Sequence, residues 1–216
     1  MRRLLWLAVA CVVTAFFVSP LLADDFMPPD FRGDPLSYTA IWEFNTDPGP
    51  NDIPPDEIFF TGDGVHELFN AWTHAHRDDQ VVLWDPAGFL FTGLMPGQLA
   101  FFLNNWVDPY VYKHIWIQVT YTSPPDNPPF VSGVIGADES MQWPDPYVGF
   151  YVDRIDVDAN HFVEYWQIQP NPNMEYVYLD LPFATSIDEV IIDTWSTDSV
   201  VGSEAKSWGE VKSLYR

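Results

Sequence analysis

Asp153, Asp156, Asp158 and Asn160 make the densest run of oxygen ligands in the chain. The Asp156-Val-Asp158-Ala-Asn160 portion has the alternating pattern with which a calcium loop begins, where side chains two apart converge on one hard cation. It lacks the glycine and the distal glutamate of an EF-hand, which excludes that motif. What stays open is a structural calcium held with help from other loops, against a plain acidic turn between strands. A second, weaker metal arrangement is His74-Ala-His76. In an extended segment both imidazoles fall on one face, a recurring way to hold a transition metal. The plainer reading is a pair of exposed loop histidines.

Sugar chemistry is suggested by three segments, one of them HFVEYWQIQ (161–169) with Tyr165, Gln167 and Gln169 on one face. In VYKHIWIQVTY (111–121) alternation puts Ile115, Ile117, Val119 and Tyr121 on one face, and Tyr112, His114, Trp116, Gln118 and Thr120 on the other. The first face is core by composition. The second mixes large rings with hydrogen-bonding groups, and EYVYLDL (175–181) does the same with Tyr176, Tyr178 and Asp180. Flat rings receive the C–H faces of a pyranose while polar side chains bond its hydroxyls. The candidate ligand-binding residues are therefore Tyr112, His114, Trp116, Gln118, Tyr176 and Tyr178. That reading requires the rings to be exposed and roughly coplanar. The competing one leaves them half-buried under loops.

Catalytic constellations are missing. There is no Gly-x-Ser-x-Gly elbow, no His-Glu-x-x-His and no glycine loop for phosphate. Paired carboxylates of a glycosidase cannot be singled out among 31 acidic residues, so a secreted glycan-active enzyme ranks below non-catalytic binding.

The elements that must position these groups are strands. From Tyr38 to Trp195, eleven short segments rich in β-branched and aromatic residues alternate with Pro, Gly, Asn and Asp clusters, and 20 prolines argue against long helices. This predicts an all-β domain over 38–198, a two-sheet antiparallel sandwich of jelly-roll type. Residues 199–216 break the rhythm: Trp208, Val211, Leu214 and Tyr215 fall at helical spacing, which predicts a linker and a short C-terminal amphipathic helix.

The N-terminal end carries a different signal. Met-Arg-Arg, an apolar run from Leu4 to Val18 and Ala23 ahead of acidic residues form the pattern of a secretory signal peptide over 1–23. The run is too short for the roughly 20 residues of a membrane span, so none is expected after cleavage. The expected location is periplasmic, extracellular or on the cell surface. Cys11, the one cysteine, would leave with the signal, so no disulfide is available to the rest. Residues 24–37, acidic and proline-rich, read as a flexible lead-in. Beyond residue 23, seven Lys or Arg face 31 Asp or Glu, a side-chain charge of −24. Such a field repels nucleic acid and attracts divalent cations.

Trp166-Gln-Ile-Gln-Pro-Asn-Pro-Asn-Met-Glu-Tyr-Val-Tyr-Leu-Asp-Leu-Pro182, with Ile187-Asp-Glu-Val-Ile-Ile-Asp-Thr-Trp195, resembles the closing strands of uncharacterised exported bacterial β-sandwich proteins of the general carbohydrate-binding-module shape. The resemblance implies fold and export, and names no ligand. The ending Trp208-Gly-Glu-Val-Lys-Ser-Leu-Tyr-Arg216 is similar to short tails on other exported bacterial proteins. The expectation is thus an exported glycan-binding protein with a polysaccharide or cell-surface partner and structural calcium. The alternative is a structural or cell-surface interaction module that docks through its tail.

Overall fold

The computed structural model of the chain describes residues 25–49, 52–69, 73–78, 80–137 and 147–198. The expected signal peptide and the expected C-terminal helix lie outside them. Among the described residues the fold is all-β. Its strands are β1 (Ser37–Trp42), β2 (Glu57–Thr61), β3 (Glu67–Leu68), β4 (His74–Arg77), β5 (Val82–Asp85), β6 (Phe89–Thr92), β7 (Gly97–Asn104) and β8 (Trp106–Val107). They continue as β9 (Tyr112–Thr122), β10 (Phe130–Ala137), β11 (Tyr147–Val148), β12 (Phe150–Asp156), β13 (His161–Ile168), β14 (Met174–Leu181) and β15 (Ser186–Thr197). No described helix is long and apolar enough to cross a membrane.

Two antiparallel sheets dominate. The larger runs β12-β13-β9-β15-β1-β2, with the β5–β6 hairpin joined to β15; the smaller runs β11-β10-β14-β7-β4. The pairings nest. β1 pairs with β15, β7 with β14, β9 with β13 and β10 with β11. The chain thus crosses between sheets while its outer strands enclose its inner ones.

Alternation explains the core between the sheets. Ile115, Ile117 and Val119 of β9, Phe162 and Ile168 of β13, and Ile192 of β15 face Leu99, Phe101 and Leu103 of β7 and Val177, Leu179 and Leu181 of β14. Trp42 meets Phe101 edge-on across the gap, with ring centroids 4.8 Å apart. Burial of each large apolar side chain contributes roughly 1.5–3 kcal/mol, so this shared layer joins the two sheets.

A second, smaller core lies on the opposite face of the larger sheet, and its lid is the lead-in. Met27 packs with Trp116, Val163 and Tyr165, flanked by Phe26, Phe31 and Ile155. Residues 25–36 are therefore a strap and not a loose tether. Their apolar side chains, spaced among the prolines and acids, find a matching apolar surface more than 80 residues away, and local composition carries no trace of it. Arg32 fastens the strap. It meets buried Asp193 with two bonds, Nε to Oδ1 at 2.7 Å and Nη2 to Oδ2 at 2.6 Å, while Thr39 donates its hydroxyl to the same carboxylate. Burial pushes the Asp193 carboxyl up, against the pull of Arg32.

Candidate functional site

The ring-bearing face of β9 is where the structure departs most from the expectation. Trp116, His114 and Gln118 are all buried, Trp116 at 6 % exposure and His114 at 0 %. Their hydrogen-bonding groups are used internally. Met27 donates its backbone N–H to Gln118 Oε1 at 2.9 Å, and its carbonyl accepts the Trp116 indole N–H at 2.9 Å. The Gln118 amide also donates to Asp25. His114 Nδ1 pairs with the Tyr165 hydroxyl, and Gln167 Nε2 lies 3.1 Å from the same imidazole nitrogen. The mixture of rings and amides on β9 is the complement of a polypeptide strap. Tyr112, at the end of β9, is half-buried, and it shares no face with Tyr176 and Tyr178, which lie in the other sheet. The predicted four-ring platform does not form.

The Asp153–Asn160 run forms the hairpin between β12 and β13. Asp156 accepts from Arg154 at 2.8 Å, and Asp158 accepts the Asn160 backbone N–H at 2.7 Å and lies 2.8 Å from the His161 ring. These bonds, the backbone one first, hold the Asp158 carboxyl below its usual range. Asn160 turns its amide to the Tyr121 carbonyl, and Asp153 accepts the Arg154 backbone N–H. Asp153, Asp156 and Asp158 do not gather their oxygens around one point.

The outer face of the smaller sheet keeps the other half of the prediction. On β14, Glu175, Val177, Leu179 and Leu181 point inward, while Tyr176, Tyr178 and Asp180 line the outside. Antiparallel register sets their neighbours. Tyr176 lies between Phe102 and Ile135, Tyr178 between Ala100 and Gly133, and Asp180 between Gln98 and Phe130. The two tyrosine rings are parallel within 8°, centroids 6.5 Å apart, and Phe102 stands edge-on to Tyr176 at 4.7 Å. All three are partly exposed. At Tyr178 both neighbours are small. A Cβ on Gly133 would already touch the Tyr178 ring at 4.0 Å, so the glycine keeps that flank low. The result is a shallow strip of surface, the trough, that carries two parallel rings beside low flanks at Tyr178. Its polar end is Asp180, which accepts from Gln98 at 2.6 Å and from Ser132 at 2.8 Å.

His74 and His76 flank the same face. β4 pairs with β7, placing His74 beside Phe102 and His76 beside Ala100. The His74 ring stacks on Phe102 at 5.1 Å and 24°. Asp52 joins them, a residue that inspection of the sequence did not single out.

Beneath the trough, Glu175 and Lys113 meet inside the core, both fully buried, Nζ 3.5 Å from Oε1. Lys113 donates to Asn105, whereas neither Glu175 oxygen accepts a hydrogen bond among the described residues. Burial pushes the Glu175 carboxyl up to about 7 and the Lys113 ammonium down. A different cleft, of about 350 Å³, opens between the strap and the end of β15. Asp34, Asp63, Tyr110 and Trp195 line it. It is acidic, and its one large ring from β15, Trp195, is tied by its indole N–H to the Pro35 carbonyl.

No protein-family model matches the chain, and no curated protein or solved structure matches it.

Proposed function

We propose that this chain is an exported, non-catalytic glycan-binding protein of jelly-roll architecture that receives its ligand in the trough on the outer face of the smaller sheet. The nested pairing β1–β15, β7–β14, β9–β13 and β10–β11 supports the jelly-roll reading. The secretory pattern of residues 1–23 supports export. The observation that carries the functional reading is the parallel Tyr176–Tyr178 pair beside Ala100 and Gly133. Two parallel rings with low flanks give sugar C–H faces a surface to lie on, and Asp180, Gln98 and Ser132 offer hydrogen bonds at one end. Structural calcium at Asp153–Asn160 forms no part of this reading. Electrophoresis through gels containing soluble polysaccharides tests it: at least one polysaccharide retards the wild-type protein, and Tyr178→Ala migrates as in an empty gel. Equal retardation of the two proteins rejects the trough.

A second reading rests on β2. Ile58, Phe59 and Phe60 are each exposed, at 43 %, 54 % and 58 %, and among the described residues β2 is an edge strand paired only with β1. Consecutive apolar residues on a free edge suit a partner that adds a strand. A structural or cell-surface interaction module would use them. Phe59→Lys abolishes assembly under this reading and leaves polysaccharide retardation untouched under the first.

A further inference from the structure

We propose that His74, His76 and Asp52 form a binding site for one divalent transition-metal ion of the zinc type, with an open coordination position. The site is independent of the glycan reading. His74 Nε2 and His76 Nε2 lie 2.9 Å apart, and Asp52 Oδ1 lies 3.8 Å from the first and 3.6 Å from the second. In the plane of these three atoms the point equidistant from them is about 2.0 Å from each, the lower end of Zn–N and Zn–carboxylate bond lengths; a tetrahedral ion sits a little out of that plane and slightly farther from each. A tetrahedral ion spaces its ligands roughly 3.3 Å apart, which the three separations bracket.

Backbone structure delivers this triangle without a metal. Alternation sends Ala75 into the core at 0 % exposure and both histidines outward. On the free edge of β4, Ile53 and Ala75 exchange N–H···O bonds of 2.8 and 2.7 Å. Ile53 is itself buried and accepts the Trp42 indole N–H. That anchor holds the preceding residue, Asp52, against the histidine pair. Asp52 has φ +56°, a left-handed conformation that costs a non-glycine residue energy and concentrates where a side chain must be aimed. The His74 ring is fixed by its stack on Phe102, and the His76 ring stands at 87° to it.

Imidazole and one carboxylate suit Zn²⁺ and its borderline neighbours better than Ca²⁺ or Mg²⁺, which take oxygen sets. Three protein ligands leave the fourth position of a tetrahedral ion to water or to an oxygen of a ligand. His76 and Asp52 are 47 % and 44 % exposed, so the ion has a way in. The net charge of −22 raises the local concentration of cations around it.

Co²⁺ is the direct probe, because its visible absorption reports tetrahedral nitrogen–oxygen ligation. The purified protein, stripped with a chelator, is titrated with Co²⁺ and then with competing Zn²⁺, Mg²⁺ in parallel. The expected result is saturation at one equivalent, a tetrahedral Co²⁺ spectrum displaced by Zn²⁺, and no competition from Mg²⁺. Two exposed-group variants, His76→Gln and Asp52→Asn, each weaken Co²⁺ binding by about 10-fold or more, with unchanged circular dichroism. Three results overturn the site: no one-equivalent saturation, leaving only a hydrogen-bonded imidazole pair; equal competition by Mg²⁺, meaning diffuse attraction to acidic groups; or unchanged affinity in both variants.

Discussion

Met27 and Gln118, 91 positions apart, are joined by a buried 2.9 Å hydrogen bond from the Met27 backbone N–H to the Gln118 side-chain oxygen. The Met27 carbonyl takes the Trp116 indole N–H, so both main-chain groups of one strap residue are satisfied by the outer face of β9. A buried peptide group with no partner costs about 1–3 kcal/mol, which gives β9 a structural reason to carry a tryptophan and a glutamine at these positions.

Trp116→Ala should therefore act on stability. It removes a large buried side chain and leaves the Met27 carbonyl without its donor, a loss of about 3–5 kcal/mol. Urea unfolding of the purified protein measures it. Trp116→Phe keeps most of the packing and should lose clearly less.

The Arg32–Asp193 pair gives a sharper effect. Arg32→Ala strands a buried carboxylate, which costs about 3–5 kcal/mol for a pair of this kind. Because Arg32 holds the strap, limited proteolysis should cut the variant near residues 25–36 before the sheets unfold, and tryptophan emission should shift to longer wavelength. A variant with wild-type cleavage kinetics would mean that the apolar contacts of Met27 and Phe31 hold the strap alone.

Lys113 and Glu175 make a testable prediction in pH. A carboxyl raised to about 7 by burial binds its proton more tightly in the folded state than in the unfolded chain, whose value is near 4.5. The folded state then carries more protons than the unfolded one between those values, so this group's contribution is full below about pH 4.5 and declines as pH rises toward 7. Glu175→Gln should flatten the decline in urea midpoint between pH 5 and 7. Lys113→Met alone should destabilise most above about pH 7, where it leaves an ionised Glu175 buried without its counter-charge. Lys113→Met combined with Glu175→Gln should recover most of the loss.

Much of this was legible from alternation. The inward and outward sets of β9 and β14 read from the sequence are those of the structure, and Ile115, Ile117, Val119, Val177, Leu179 and Leu181 are core. Alternation names the residues that share a face; it says nothing about what covers that face. Trp116 and Tyr178 look alike in sequence, yet one is roofed by a segment about 90 residues away and the other lies partly exposed beside Ala100 and Gly133. The third member of the histidine cluster was hidden for the same reason. Asp52 reaches His74 and His76 through a bridge between Ile53 and Ala75, a pairing that spacing does not encode. β2 escaped as well: EIFFT sits in an acidic, proline-flanked stretch and has no alternation, its apolar residues lying exposed in a row. VHELFNAW (65–72), one of the eleven apolar segments between Tyr38 and Trp195, contributes in its described part only the two residues of β3.

Ligand binding at the β14 trough, and not at the β9 face, can be read on a glycan array probed in parallel with the wild-type protein, Tyr178→Ala and Trp116→Phe, each shown to be folded by its melting temperature. The wild-type protein and Trp116→Phe should bind the same set of glycans, and Tyr178→Ala should bind none of them while melting within a few degrees of the wild type. A blank array for the wild-type protein, or binding that survives Tyr178→Ala and is lost in a folded Trp116→Phe, would contradict binding at the trough.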